Sequence, residues 1–368
     1  MTTSIRTRTS VVAVVALTAL LAACGGDDDS SPTTTEAAAT TTEAPTTTEA
    51  PTTTDAGPTT TARATTTTAP ADPVMPLTGM PIEDEALAAR PAMVVKIDNH
   101  PQARPQYGLN AADIVFEENV ENLTRFAAVF QSQDAPDRVG PIRSGRTQDI
   151  ALLGSFDQPL FVWSGGNANV TRAIRDSDLV ELSPSSTKNH NFFRDNSRGV
   201  DSEHTLFAHM DGMYEEFTPV FAPAPPQQFT YREEGEAFNG DDASGVDLDM
   251  DGVKVNWTWD ADSTSYLRSQ GGKPHQDATL GQVDAANVVV LEVEYKPSPA
   301  DARSPEAQTV GTGNAWVFTG GVMIEGTWER DDRLETFQLK DDSGSVIALT
   351  PGRTWVELAR ADSVSPVT

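Results

Sequence analysis

Apolar residues divide this chain into three stretches of different character. Segment 11–23 is an unbroken apolar or small run in which Thr18 is the one polar member. From Gly25 to about Pro73 no large apolar residue occurs. Beyond Val74, short apolar runs recur at the spacing of strands and short helices.

Within 75–222 the pattern is mixed. Segment 92–98 (AMVVKID) follows Pro91 and is rich in β-formers, and 112–120 and 124–131 alternate like the two arms of a hairpin. A further short strand is expected at 138–143, and a helix at 147–156 with Thr147 as its cap. Segment 159–163 (PLFVW) reads as a buried strand, followed by Ser164-Gly165-Gly166-Asn167 and a helical 168–176. Segment 209–217 closes the region as a last helix. Strand, glycine turn and helix in succession predict an α/β or α+β domain. From 223 to 368 the runs are short and separated by Gly, Asp and Pro, which predicts a mainly-β, sandwich-like C-terminal domain. The boundary between them is expected at the prolines 219, 223, 225 and 226.

The first two stretches are read differently. Arg6 and Arg8 precede the 13-residue apolar run, which is too short to span a bilayer but suits the core of a signal peptide. It ends in Leu21-Ala22-Ala23-Cys24, which resembles the lipobox of bacterial lipoproteins, so residues 1–23 are expected to be a signal peptide and Cys24 the lipidated mature N-terminus. Cys24 is the sole cysteine. Its acylation leaves no thiol for nucleophilic catalysis, disulfide exchange or zinc ligation. Residues 24–74 follow as a disordered tether. Between Thr33 and Thr68 there are 19 threonines among Ala, Pro and Glu, a composition unable to form a core and common in glycosylated stalks. Its reach is about 40 Å if flexible and about 150 Å if fully extended.

Charge narrows the partners. The formal net charge is −28, and from residue 75 onward 46 acidic residues face 23 basic ones. So acidic a body excludes nucleic acid and argues against lying flat on anionic lipid. The membrane is reached through lipid on Cys24, and the remaining partners are a wall polymer or an envelope protein.

Against this background the arginines of 75–222 stand out, ten of them beside two lysines. Arg104, Arg125, Arg143 and Arg146 sit at strand ends or beside Gly/Pro turns. Guanidinium presents a planar fork matched to phosphate or carboxylate. Arg143 and Arg146 flank Ser144-Gly145, and Gly165, Gly166 and Asn167 precede a helix, where N–H groups also suit an anion. These residues form the expected anion site; the competing reading pairs the arginines with neighbouring carboxylates in a structural network. A second group, Asp98, Asn99, His100, Glu117, Glu121, His190, Arg194 and His204, is expected to line a polar pocket. No metal-ligand spacing occurs among them, so no metal or other cofactor is expected. Neither Ser144 nor Ser164 fits a nucleophile motif, and no catalytic residue is assigned. Asp247-Leu248-Asp249-Met250-Asp251-Gly252 opens like a calcium loop, but Thr258 stands where the twelfth-position Glu is required, and the alternation reads instead as a strand leading into an Asp-Gly turn. Trp257 and Trp259 share one strand face and are expected in the core.

Three stretches, PLTGMPI, VVKIDNHPQARPQYGLNAADIVFEENVENLTRFAAVF and RVGPIRSGRTQD, resemble the YerB-like family of bacterial lipoproteins. NVVVLEVEY, GTWERDDRLETFQL and LTPGRTWVEL resemble its C-terminal region. The resemblance spans nearly all of 75–360 and implies an exported lipoprotein with a two-domain body. It implies no mechanism, because the family's biochemical activity is not established. Glu203-His204-Thr205 departs from a Pro-His-Asn in that pattern. The expected function is therefore binding of an anionic envelope component or a partner protein, without catalysis. One alternative is an envelope enzyme, since Pro141-Ile142-Arg143-Ser144 and Arg146 resemble the arginine segment of LytR-type phosphotransferases that hold a pyrophosphate lipid. Another is an interaction scaffold using the β region.

Overall fold

A computed structural model describes residues 73–220, 222–233, 235–237 and 239–368. Cys24, the apolar run before it and the Thr-rich segment lie outside the described residues.

Strands from both halves of the sequence form one mixed eleven-stranded sheet. Its order begins Gln338–Asp341, Val322–Arg330, Gly311–Thr319, Asn287–Glu292 and Thr354–Ala359. It continues Ile114–Val120, Leu123–Phe130, Met93–Asp98, Leu160–Val162 and Val180–Leu182, with Asp241–Asp242 added beside Val322–Arg330. The two halves join where Thr354–Ala359 pairs in parallel with Ile114–Val120. The proline cluster at 219–226 is thus a crossing within one sheet, and the regions on either side of it share a hydrogen-bonded ladder. Met93–Asp98, Leu160–Val162 and Val180–Leu182 are also mutually parallel, which is the α/β part of the fold.

Both faces of the sheet are covered. A six-stranded sheet containing Gly245–Met250, Val253–Asp260, Ser265–Gln270 and Val364–Val367 packs on one face. There Val95, Ile97, Phe126 and Trp355 meet Val246, Trp257 and Tyr266. On the other face Val94, Phe116, Ala127 and Val356 meet Leu152, Phe161, Trp163 and Ile174, in and around the helices Gln148–Leu152 and Ala168–Arg175. Cover on both sides explains why Met93–Asp98 and Ile114–Val120 are buried at every position, polar ones included. The local expectations hold with small changes. The helix expected at 147–156 is Gln148–Leu152 plus a 3₁₀ turn at Gly154–Phe156. Around Arg138–Arg143 the backbone makes isolated bridges instead of a strand. Gly245–Met250 is a strand, and Trp257 is in the core.

The register sorts the buried charges onto two faces. Glu117 pairs with Glu357 across the junction, on the face toward the smaller sheet. Arg268, from Ser265–Gln270, reaches over to Glu117 Oε2 at 2.6 Å, with both side chains fully buried. The other Glu117 oxygen accepts from Thr124, and Glu357 Oε1 accepts from Trp257 Nε1 at 2.8 Å. Burial and the neighbouring Glu117 hold the Glu357 carboxyl well above the usual carboxylate range, so it is kept protonated. Because the folded-state value is raised, this group's contribution to stability is complete below its ordinary pKa of 4.5 and is lost as pH climbs toward the folded-state value. Gln copies the shape of the neutral acid. Glu357→Gln is therefore expected to match the parent in melting temperature near pH 5 and to exceed it increasingly toward pH 9; a parallel pair of pH–Tm curves would rule this out.

Candidate functional site

The opposite face, the one carrying the helices, holds a second row of charges. Asp98 and Glu118 both lie opposite Arg125 in the antiparallel registers. Lys96, two residues before Asp98 on the same face, ion-pairs with Glu118 and with Asp149 Oδ1 at 2.9 Å, all fully buried. Burial lowers the Lys96 pKa to about 8 against the pull of Asp149. The second Asp149 oxygen accepts from the backbone N–H of Arg146 at 2.7 Å and fixes the start of helix Gln148–Leu152.

Above this row, beyond the C-terminal ends of the three parallel strands, opens a cleft of about 580 Å³. Ligands of open α/β sheets gather at this end because chain reversals there leave loops and helix N-termini facing a common space. Arg143, Ser144 and Arg146 form one wall, and Ser164, Gly165, Gly166 and Asn167 another. Arg194 and Glu203 approach from a third side, and Asp301 and Arg303 reach in from the C-terminal half. Asn167 caps helix Ala168–Arg175, its side-chain oxygen accepting from the N–H groups of Asn169 and Val170.

Each guanidinium is held differently. Arg143 Nη2 lies 3.1 Å from Glu203 Oε2, and its Nε 3.4 Å from Asp98 Oδ2. Arg146 grips Glu121 through Nη2 at 2.7 and 3.0 Å, and its Nε donates to Ser304 Oγ at 2.8 Å. Burial works against the Glu121 carboxylate, but Arg146 outweighs it and lowers the pKa. Arg194 donates to the Ser202 carbonyl and the Thr205 hydroxyl and makes no ion pair among the described residues. Arg303 forks onto Asp301 at 2.9 and 3.1 Å at the exposed rim.

Arg125 lies behind the floor. It is 8% exposed, its Nη1 donates to the Ser144 carbonyl at 2.9 Å, and among the described residues no carboxylate is within ion-pairing distance of it. Burial, then Arg146 and Arg143 working against Asp98, lower its pKa to about 10, so it stays charged at neutral pH.

Several expected site residues fall elsewhere. Arg104 turns away from the cleft and donates to the side chain and backbone of Asn99. Asn99 belongs to the network on the opposite face, through Thr124 and Gln270. Glu117 is in that network too, fully enclosed. His190 pairs with Glu216 at 2.6 Å and does not line the cleft. His204 and Asp98 do meet, Nδ1 to Oδ2 at 2.6 Å, with His100 stacked on His204 at 4.3 Å. Both partners are buried, so they brace the back of Arg143 without facing the cleft. Gly145 serves packing: a β-carbon there would lie 2.8 Å from the Trp163 ring. Gly165, at φ +103°, is required by a left-handed turn with open space around it. Glu203, Asp301 and Arg303 line the cleft without having been expected there; they sit in ordinary polar segments far along the chain from Arg143.

Comparison with known proteins places this geometry in context. Residues 77–219 match the model described as "Protein of unknown function (DUF3048) N-terminal domain", and residues 246–356 match its C-terminal counterpart. A relative from Bacillus subtilis (strain 168), named "Putative lipoprotein YerB", is 29% identical over 304 residues, 77% of this chain and 85% of the relative. The crystal structure of YerB protein from Bacillus subtilis shares the fold, with a TM-score of 0.69 at 24% identity, over 80% of this chain and 99% of that one.

Proposed function

This chain belongs to the YerB-like family of DUF3048 proteins, and from that premise we propose that it is a lipid-anchored envelope protein that binds an anionic wall component in the arginine cleft. The anchor is Cys24, in keeping with the lipobox-like sequence around it and with a relative named as a lipoprotein. The threonine-rich segment spaces the folded body from the membrane.

Arg125 carries the binding reading. A buried guanidinium without a carboxylate partner is a costly arrangement, and a counter-ion relieves it. An anion seated between Arg143 and Arg146 supplies that counter-charge and gains bidentate donors from side chains already oriented by Asp98, Glu203, Glu121 and Ser304. Binding without turnover is favoured because the cleft's carboxylates are tied to arginines and the Asp98–His204 pair is enclosed.

The test is titration of the full chain, in non-ionic detergent, with poly(glycerol phosphate) and with carboxylate-bearing peptidoglycan fragments, at low and high salt. Saturable binding that weakens as salt rises is expected. Absence of binding to both, or turnover of a pyrophosphate lipid, would overturn the reading, the latter in favour of a phosphotransferase.

A further inference from the structure

We infer that the preferred ligand of the cleft is zwitterionic, a phosphoester that also carries a primary ammonium group. This rests on the anion-binding reading above and narrows it.

The cleft carries charges of both signs. Four arginines line it, Arg143, Arg146, Arg194 and Arg303, and three carboxylates line it with them, Glu121, Glu203 and Asp301. All three carboxylates are already paired: Glu121 with Arg146, Glu203 with Arg143 and, at 3.4 Å, with His204 Nε2, and Asp301 with Arg303. A simple anion entering this space competes with those carboxylates for the same guanidinium forks. Each fork it takes leaves a carboxylate without its partner, close to the new negative charge, which opposes binding. A ligand bearing both signs exchanges partners instead. Its phosphate takes guanidinium donors, and its ammonium takes the released carboxylates.

The pairs differ in how easily they open. Asp301 and Arg303 are two residues apart and form a local pair on one strand. Glu121–Arg146 and Glu203–Arg143 bridge separate segments, and Glu121 and Glu203 are 38% and 55% exposed at the side chain. Those two carboxylates can therefore swing to a ligand, while Ser304 and Asp98 keep Arg146 and Arg143 in place. Arg194, which makes no ion pair among the described residues, and Arg125 behind the floor supply the excess positive charge that fixes the phosphate end.

The test compares phosphoethanolamine with ethyl phosphate, which differs by the missing ammonium, by calorimetric titration of the full chain in detergent. Phosphoethanolamine is expected to bind about fivefold or more tightly. In Glu121→Gln/Glu203→Gln the preference should vanish, with ethyl phosphate now binding more tightly than in the parent because its competitors have lost their charge. A merely structural role of the two glutamates would weaken both ligands together. Ethyl phosphate binding equal to or better than phosphoethanolamine in the parent overturns the inference and leaves the anion-binding reading standing. Failure of both phosphates, with poly(glycerol phosphate) and peptidoglycan fragments also inert, removes both. Glycerophosphoethanolamine and an alanyl ester of glycerol phosphate, used as competitors, separate a lipid headgroup from an aminoacylated wall polymer as the source of this chemistry.

Discussion

Replacing Arg268 by Ala is expected to destabilise the folded body by about 3–5 kcal/mol, the range for breaking one side of a buried ion pair. The residue is fully buried; one guanidinium nitrogen holds Glu117, and the other donates to Gln270 Oε1 at 2.9 Å and to His275 Nδ1. Burial and the charges of Arg268 and Arg104 hold the His275 pKa well below 6.5, so His275 is neutral and accepts at Nδ1, while its Nε2–H donates to Gln106. Without Arg268, the Glu117 carboxyl group remains enclosed beside Glu357 without its guanidinium partner, and Trp355 and Phe126 lose a cation within 5.5 Å of their rings. For a body of this size the melting temperature should fall by about 10 °C. The double variant Arg268→Ala/Glu117→Gln should recover part of the loss. A decrease under about 1 kcal/mol at pH 7 would show that the network contributes far less than its geometry implies.

The second large effect concerns the cleft. Arg143→Ala/Arg146→Ala should weaken poly(glycerol phosphate) binding about a hundredfold, since each charge-assisted contact to an anion contributes about 1.5–3 kcal/mol before competition from Glu203 and Glu121 is subtracted. Arg104→Ala is the matched control. Its guanidinium serves Asn99 on the other face of the sheet, so affinity should change less than twofold. Equal losses in both variants would mean that the protein binds anions through diffuse charge and not through this cleft.

The contrast between those variants also marks how far the sequence could be read. Arg143, Ser144, Arg146 and the turn Gly165-Gly166-Asn167 are legible because strand, glycine turn and helix are local patterns, and local patterns put loops at one end of a sheet. Arg104 also sits beside a proline, Pro105, after the 3₁₀ turn Pro101–Ala103, yet it faces the other way. Which way that side chain turns is set by its bond to Asn99, and Asn99 in turn is held by Gln270, 171 residues further along the chain. Glu117 and Glu118 show the same limit. In sequence they look like the polar side of a half-exposed hairpin; in the fold they are buried on opposite faces because a second sheet covers one side and helices the other. Their partners, Arg268 and Lys96, become visible only when the sheet is assembled. The β-rich character of the C-terminal half was legible from its short, punctuated runs, but its sharing of a sheet with the first half was not, because no local signal reports that Thr354–Ala359 pairs with Ile114–Val120.

That shared junction has a consequence for how the molecule is made. Chains are delivered N-terminus first, and the strand that completes the middle of the large sheet, Thr354–Ala359, arrives long after Ile114–Val120, the strand that it joins. Until then Ile114–Val120 presents an unpaired edge, and Glu117 lacks Glu357 across the junction. A nascent first half is therefore a poor template for early closure and an inviting one for foreign strands. Closure of the sheet waits on that strand, and a chain cut short before residue 354 would keep an open edge in the middle of its sheet.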